Sequence, residues 1–244
     1  MNCSDEFEHN APKIMSTESL FLNQAVVFAS AAVYWAGVWV QARRIRRRIG
    51  RSTNSRPRGP KERLLWAGWF FVVVAWLALP FLCAPGQGRL PGTAILLPLQ
   101  PLLGALGVIM VVAGYAGTLW CYVAMGNAWR MGVNRAEKTD LVTRGPYGFV
   151  RHPIYLFQVI MVAAIPLLLP SVLAFAILAI HVLCVRTKAA DEESHLRTLL
   201  GRPYETYCAR TGRWLPPLRH RETSEAPSPA VKRDPLKSAE PPLK

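Results

Sequence analysis

Long stretches of this chain lack any formal charge, and that absence excludes an ordinary soluble domain. Residues 20–41, 64–84 and 99–125 contain no Asp, Glu, Lys or Arg. About 20 apolar residues suffice to cross a hydrocarbon core of roughly 30 Å. Each of the three blocks is therefore expected to cross a bilayer as a helix. Acidic residues are scarce, 15 against 29 Lys and Arg in 244 residues, which gives a net charge of +14. Cysteine is present five times (Cys3, Cys83, Cys121, Cys184, Cys208) but without paired spacing. Neither a disulfide framework nor a metal site is expected from it. Asp5, Glu6 and Glu8 stand where a secretory signal would be basic, so no cleaved leader is expected.

A strong positive charge raises nucleic acid as a partner, and the placement of the charge argues against it. A fourth apolar block, residues 154–185, is too long for one span and is interrupted by Pro166 and Pro170. It is expected to form a hairpin of two short helices. The segments 43–63, 126–153 and 186–244 then share one side of the membrane and carry 27 of the 29 basic residues. Such asymmetry is the signature of cytoplasmic loops. The run Arg43-Arg44-Ile45-Arg46-Arg47-Arg48 reads as a helix flank against anionic lipid headgroups, not as a nucleic-acid arm. The expected fold is an all-α polytopic membrane bundle of about five transmembrane helices, the last two a short hairpin. Residues 1–19 are a polar lead, 20–125 hold three helices, 126–217 form the chemical region, and 218–244 are a disordered tail. A cytosolic helix over 186–200 is expected after the hairpin, stopped by Gly201-Arg202-Pro203. Gly104, Gly107, Gly114 and Gly117, at spacings of three within the third block, are expected to let helices pack closely.

Two polar clusters flank the hairpin. Arg151-His152-Pro153-Ile154-Tyr155 stands at its entrance, with Pro153 suited to the first turn of a helix. Asp191-Glu192-Glu193 follows its return. A hairpin brings its own ends together, so the two clusters should meet at the inner surface of the membrane despite about forty intervening residues. Acids facing Arg151 and His152 would either pair with them or grip a ligand bearing an ammonium, a carboxylate or ribose hydroxyls. Helix N-terminal amides suit an anion at the same place. Tyr204 and Tyr207 follow three apart, and Arg210 or Arg213 would neutralise an anionic group. His181 is the ionisable side chain of note inside the hairpin, read as a packing residue or a substrate contact.

The order Gly145-Pro146-Tyr147, Arg151-His152-Pro153-Ile154-Tyr155, apolar hairpin, Glu192-Glu193, Gly201-x-x-Tyr204-x-x-Tyr207 and Leu215-Pro216 resembles the isoprenylcysteine carboxyl methyltransferase family. Phospholipid and thiol methyltransferases share related patterns. The resemblance covers residues 126–217 and implies an S-adenosyl-L-methionine-dependent methyltransferase with a cytosol-facing cofactor pocket. Carried over, the cofactor contacts fall on Thr139, Asp140, Leu141, Val142, Tyr147, His152, Pro153, Ile154, Tyr155 and Glu192. The family's substrate-orienting arginine meets Lys188 here, with Arg186 two residues earlier. An anionic acceptor would be held by Arg151, Lys188 or Arg186; an amine would call on His152 or Tyr155 for deprotonation.

The implied acceptor is a lipophilic small molecule or lipid-linked substrate, a carboxylate, thiol or amine reached from the surrounding membrane lipids. No nucleic-acid partner is expected, and the oligomeric state is open. The implied location is a bacterial inner membrane with the site facing the cytoplasm. A sterol-type reductase using NADPH and a non-enzymatic scaffold or transport component are the rival classes. All of this requires the two ends of the 154–185 block to meet around a nucleoside-sized hollow.

Overall fold

The computed structural model describes residues 17–50, 59–83, 99–129 and 141–217. The expectations for residues 1–16, for the loop carrying Thr139 and Asp140, and for the tail from 218 lie outside the described residues. The chain forms α1 (Thr17–Ile49), α2 (Pro60–Leu82) and α3 (Gln100–Met125), followed by two 3-10 turns, Gly126–Ala128 and Gly145–Gly148. Then come α4 (Pro153–Ala163), α5 (Ile165–Leu168), α6 (Val172–Leu200) and α7 (Arg202–Arg210). Among the described residues the only β-type pairing is an isolated parallel bridge between Val150 and Gly212.

Local chemistry sets the boundaries. Pro60 opens α2, where its missing N–H costs nothing, and Glu62 places an acid in the first turn. Ser171 caps α6 by accepting from the Ala174 N–H at 3.2 Å. Gly201, at φ +57°, ends α6 in a conformation that L side chains rarely adopt. Pro170 halts the chain after α5.

Four helices are long and apolar enough to cross a membrane: α1, α2, α3 and α6. The α4–α5 arm, Pro153–Leu168, is shorter. Its 16 residues would reach only about 24 Å as a helix, less than the roughly 30 Å hydrocarbon core. The hairpin is thus unequal, not the pair of short helices that its prolines imply. Its return arm is α6, a single helix of 29 residues that absorbs the separate helix expected over 186–200. No Gly or Pro stands between Val172 and Leu200, and Ala189, Ala190, Glu192, Glu193 and Leu196 are good helix formers. The helix accordingly continues past Val185, the end of the uncharged block, into a charged segment.

The bundle is held by close helix contacts. A β-carbon at Gly114 would come within 2.7 Å of the Phe157 carbonyl and 2.9 Å of Met161 Cβ, and one at Gly117 would strike the Phe157 ring. Only glycine permits α3 and α4 this approach. Several polar residues in the apolar region donate to internal partners, as a lipid environment favours. Asn23 donates to the Leu168 carbonyl at 3.0 Å and Gln24 to the Cys83 carbonyl at 2.7 Å. Gln158 donates to the Tyr34 hydroxyl. His181 is buried, edge-on to Trp69 with centroids 5.0 Å apart, and beside a small void that Trp35, Trp76 and Gln158 also line. Phe21, Phe70, Phe81, Ile109, Val123 and Leu183 point outward, as lipid-facing side chains do.

Candidate functional site

Arg151 and His152 occupy the last residues before α4, where the backbone is tied from three sides. Arg144 Nε donates to the Ala124 carbonyl at 3.0 Å, anchoring the Gly145–Gly148 turn to the end of α3. The Tyr207 hydroxyl donates to the Tyr147 carbonyl at 2.7 Å, anchoring it to α7. Burial pushes the Tyr207 phenol up to about 12, so it stays protonated as that donor. The segment after α7 then folds back. The Arg151 N–H donates to the Gly212 carbonyl at 2.8 Å and the His152 N–H to the Arg213 carbonyl at 3.3 Å.

Glu193 is the hub, its side chain only 1% exposed. Its Oε1 accepts from Arg151 Nε at 3.1 Å, Arg213 Nε at 3.0 Å and His152 Nε2 at 3.3 Å. Its Oε2 accepts from Arg213 Nη2 at 2.5 Å, and Arg197, one turn along α6, lies at 3.7 Å. Burial alone would raise the carboxyl pKa. The hydrogen bonds from His152, Arg213 and Arg151 outweigh burial and hold the group well below the usual carboxylate range. Arg213 is pushed up by the same contact. The Arg151 guanidinium also donates to the Cys208 carbonyl at 3.2 Å and to the Thr211 carbonyl.

Glu192 faces a second group. Tyr155 donates its hydroxyl proton to Glu192 Oε1 at 2.7 Å, and His152 Nδ1 stands 3.8 Å from Oε2. The His152 and Tyr155 rings are stacked at 5.6 Å with 15° between planes, and Trp214 covers the imidazole at 5.8 Å. The two ends of the hairpin therefore meet in direct hydrogen-bond contact across α4 and α6.

The structure gathers Arg151, His152, Tyr155 and Glu192, with Pro153 buried beneath them. Tyr147 is buried against Cys121 and Ala124, with Val142 and Ile154 packed on the same group. Leu141 is half-buried. Lys188 and Arg186 make no hydrogen bond or ion pair among the described residues; Arg186 is exposed and Lys188 half-buried. Arg151 is spent on Glu193 and two carbonyls. Thr139 and Asp140 lie outside the described residues.

Glu193, Arg213 and Trp214 have larger parts than their places in the sequence imply. A signal for Glu193 does exist. Buried positions of α6 fall at Ile177, His181, Val185 and Ala189, every fourth residue, and the next is Glu193. Arg213 has no comparable pattern, because a fold-back of non-helical chain delivers it.

Among the described residues no group of three or more His, Cys, Asp or Glu is arranged to hold a metal ion. Two curated bacterial proteins resemble the chain. The nickel-cobalt-cadmium resistance protein NccN of Alcaligenes xylosoxydans xylosoxydans is 28% identical over 116 residues, 48% of this chain and 49% of that protein. The cobalt-zinc-cadmium resistance protein CzcN of Cupriavidus metallidurans is 26% identical over 133 residues, 54% of this chain and 56% of that one. The chain thus spans about half the length of the relatives it matches. Residues 107–198, which run from α3 through both ends of the hairpin, match the sequence profile of the isoprenylcysteine carboxyl methyltransferase (ICMT) family. Over that stretch the chain is similar to the isoprenylcysteine carboxyl methyltransferase family, and the match supports assigning it there.

Proposed function

We propose that the chain is an integral membrane methyltransferase that uses S-adenosyl-L-methionine and serves a small lipophilic or membrane-embedded acceptor. The observation that carries this reading is the direct union of His152 and Tyr155 with Glu192 and Glu193, inside the stretch that matches the family. The donor set suits the cofactor. The Glu192 side chain is 24% exposed, and among the described residues its second oxygen makes no hydrogen bond, with His152 Nδ1 3.8 Å away. It would accept from ribose hydroxyls or an ammonium group. The stacked rings of His152 and Tyr155, with Trp214, offer flat faces to a base or a sulfonium cation. Tyr147 and Val142 would close the same side, and Thr139 and Asp140 belong to the same proposal.

When bound, the cofactor supplies a methyl group on a sulfonium, which leaves without acid assistance. The chain's residues have the remaining tasks: to align an acceptor, exclude water and manage its charge. Opening sideways to lipid suits α4, which is too short to span fully and packs between α3 and α6. The site would face the cytoplasm of a bacterium, on the side carrying most of the basic residues.

Calorimetry on the full chain in detergent tests the assignment. S-adenosylmethionine should bind the native protein and bind Glu192→Gln and His152→Ala at least tenfold more weakly, with membrane insertion intact. Native affinity in both variants removes the site. The relatives' names point to a second, compatible role in tolerance of divalent transition metals. Growth of a deletion strain on nickel, cobalt or cadmium tests it, and unchanged growth excludes it.

A further inference from the structure

We infer that His152 is the base of the transfer, and that the acceptor is therefore a group carrying a proton, such as a thiol or an amine, rather than a carboxylate. This inference rests on the methyltransferase reading above.

Hydrogen-bond accounting around Glu193 leads to it. A guanidinium has only donors, so both carboxylate oxygens that face Arg213, and the one shared with Arg151, are acceptors. Glu193 is anionic, and its Oε1 has no proton to offer the imidazole at 3.3 Å. The proton in that contact belongs to His152 Nε2. A neutral imidazole protonated on Nε2 presents its lone pair on Nδ1. Among the described residues Nδ1 makes no hydrogen bond; Glu192 Oε2 stands 3.8 Å away, beyond hydrogen-bond length. Nδ1 thus faces Glu192, the residue proposed to grip the cofactor.

The charges around the ring are suited to a base. Glu193 and Glu192 face it from α6, Tyr155 from α4, and Arg151, Arg213 and Trp214 from the segments at either edge, with Arg197 behind Glu193. Two guanidiniums, those of Arg151 and Arg213, offset the Glu193 charge. Glu192 stands ready to steady the imidazolium once a proton arrives. A carboxylate acceptor would need the opposite equipment: a docked cation and no base. Arg151, the cation beside His152, is already spent on Glu193.

In the step itself, the acceptor atom forms a bond to the methyl carbon as that carbon's bond to the sulfonium sulfur breaks. The electron pair remains on sulfur, giving a neutral thioether, and the acceptor's proton passes to His152 Nδ1.

The first test needs no turnover. The full chain, labelled with 15N-histidine and held in lipid nanodiscs, should show a pyridine-type Nδ1 and a pyrrole-type Nε2 for His152 at neutral pH. His152→Gln assigns the signals, or, if that variant fails to fold, removal of the other histidines one at a time. A proton on Nδ1, or on both nitrogens, overturns the inference. The second test offers octanethiol, octylamine and octanoate with methyl-labelled S-adenosylmethionine across a pH series. Thiol or amine should be labelled at least tenfold over octanoate. His152→Gln should lose about 100-fold at neutral pH and recover as the acceptor's own ionisation is reached. A preference for octanoate, or a loss equal at every pH, overturns it. Calorimetry separates the two levels: cofactor binding with the wrong tautomer sinks the base alone, whereas no binding sinks the methyltransferase reading.

Discussion

Arg213 and Glu193 meet through a two-pronged contact, Nε on Oε1 at 3.0 Å and Nη2 on Oε2 at 2.5 Å, although Arg213 lies in non-helical chain beyond α7. This fork closes the fold-back of residues 211–214 over the entrance of α4. A planar guanidinium can make it, whereas a lysine ammonium offers only a point charge.

Arg213→Lys should therefore lower stability by about 1 kcal/mol, a small effect because the arginine side chain is 42% exposed and screened by solvent. Glu193→Ala should cost more, about 3–5 kcal/mol, since it leaves the Arg151 guanidinium, 13% exposed, without its carboxylate. Thermal unfolding in detergent ranks the two. An equal or reversed order would show that the hub is not the stabilising element.

Acid should loosen the same corner. Glu193 has its pKa depressed in the folded chain relative to its ordinary value of 4.5. Its contribution to stability is complete above that ordinary value and is lost as pH falls from there toward the folded pKa. The melting temperature should fall below pH 4.5 in the native protein, with a shallower slope in Glu193→Gln. Identical slopes would assign acid sensitivity to other carboxylates.

Tyr155→Phe deletes the hydroxyl that donates to Glu192 while keeping the ring stacked on His152. A hydrogen bond to a charged group contributes about 1.5–3 kcal/mol. Cofactor affinity should drop about 10-fold if this bond orients Glu192 for binding, as read by calorimetry. Unchanged affinity would show that Glu192 needs no such support.

Glycines of α3 should differ sharply in tolerance. Gly117→Ala drives a methyl group into the Phe157 ring, and overpacking of that kind costs about 1–3 kcal/mol. Gly104→Ala meets nothing closer than Asn23 Oδ1 at 3.7 Å and should be nearly silent. Folded yield and melting temperature of the two variants make the comparison. Equal losses would mean that α3 and α4 do not pack as described.

The spans were legible because burial in lipid demands long uncharged runs, and α1 to α3 lie on those runs, α1 extending eight residues further through the arginine run to Ile49. Legible too was the meeting of residues 151–155 with Glu192 and Glu193, since a hairpin forces its ends together, although Asp191 pairs instead with Lys61 at 2.6 Å. The length of α6 was not. Prolines mark where a helix must break, but the change from apolar to charged residues at Arg186 marks only the edge of the lipid. The backbone continues wherever helix formers continue.

Sequence by itself determined that this chain carries helices of membrane-spanning length and which two clusters face each other, because those follow from solvent, length and chain connectivity. Tertiary structure alone decided that Glu193 rather than Glu192 holds the cations, that Arg213 is one of them, and that Lys188 finds no partner among the described residues. Those outcomes depend on the rotation of α6 about its axis and on the return path after α7. Neighbouring residues on a helix point about 100° apart, so adjacent glutamates meet different partners, and only the packing of α4 against α6 selects which.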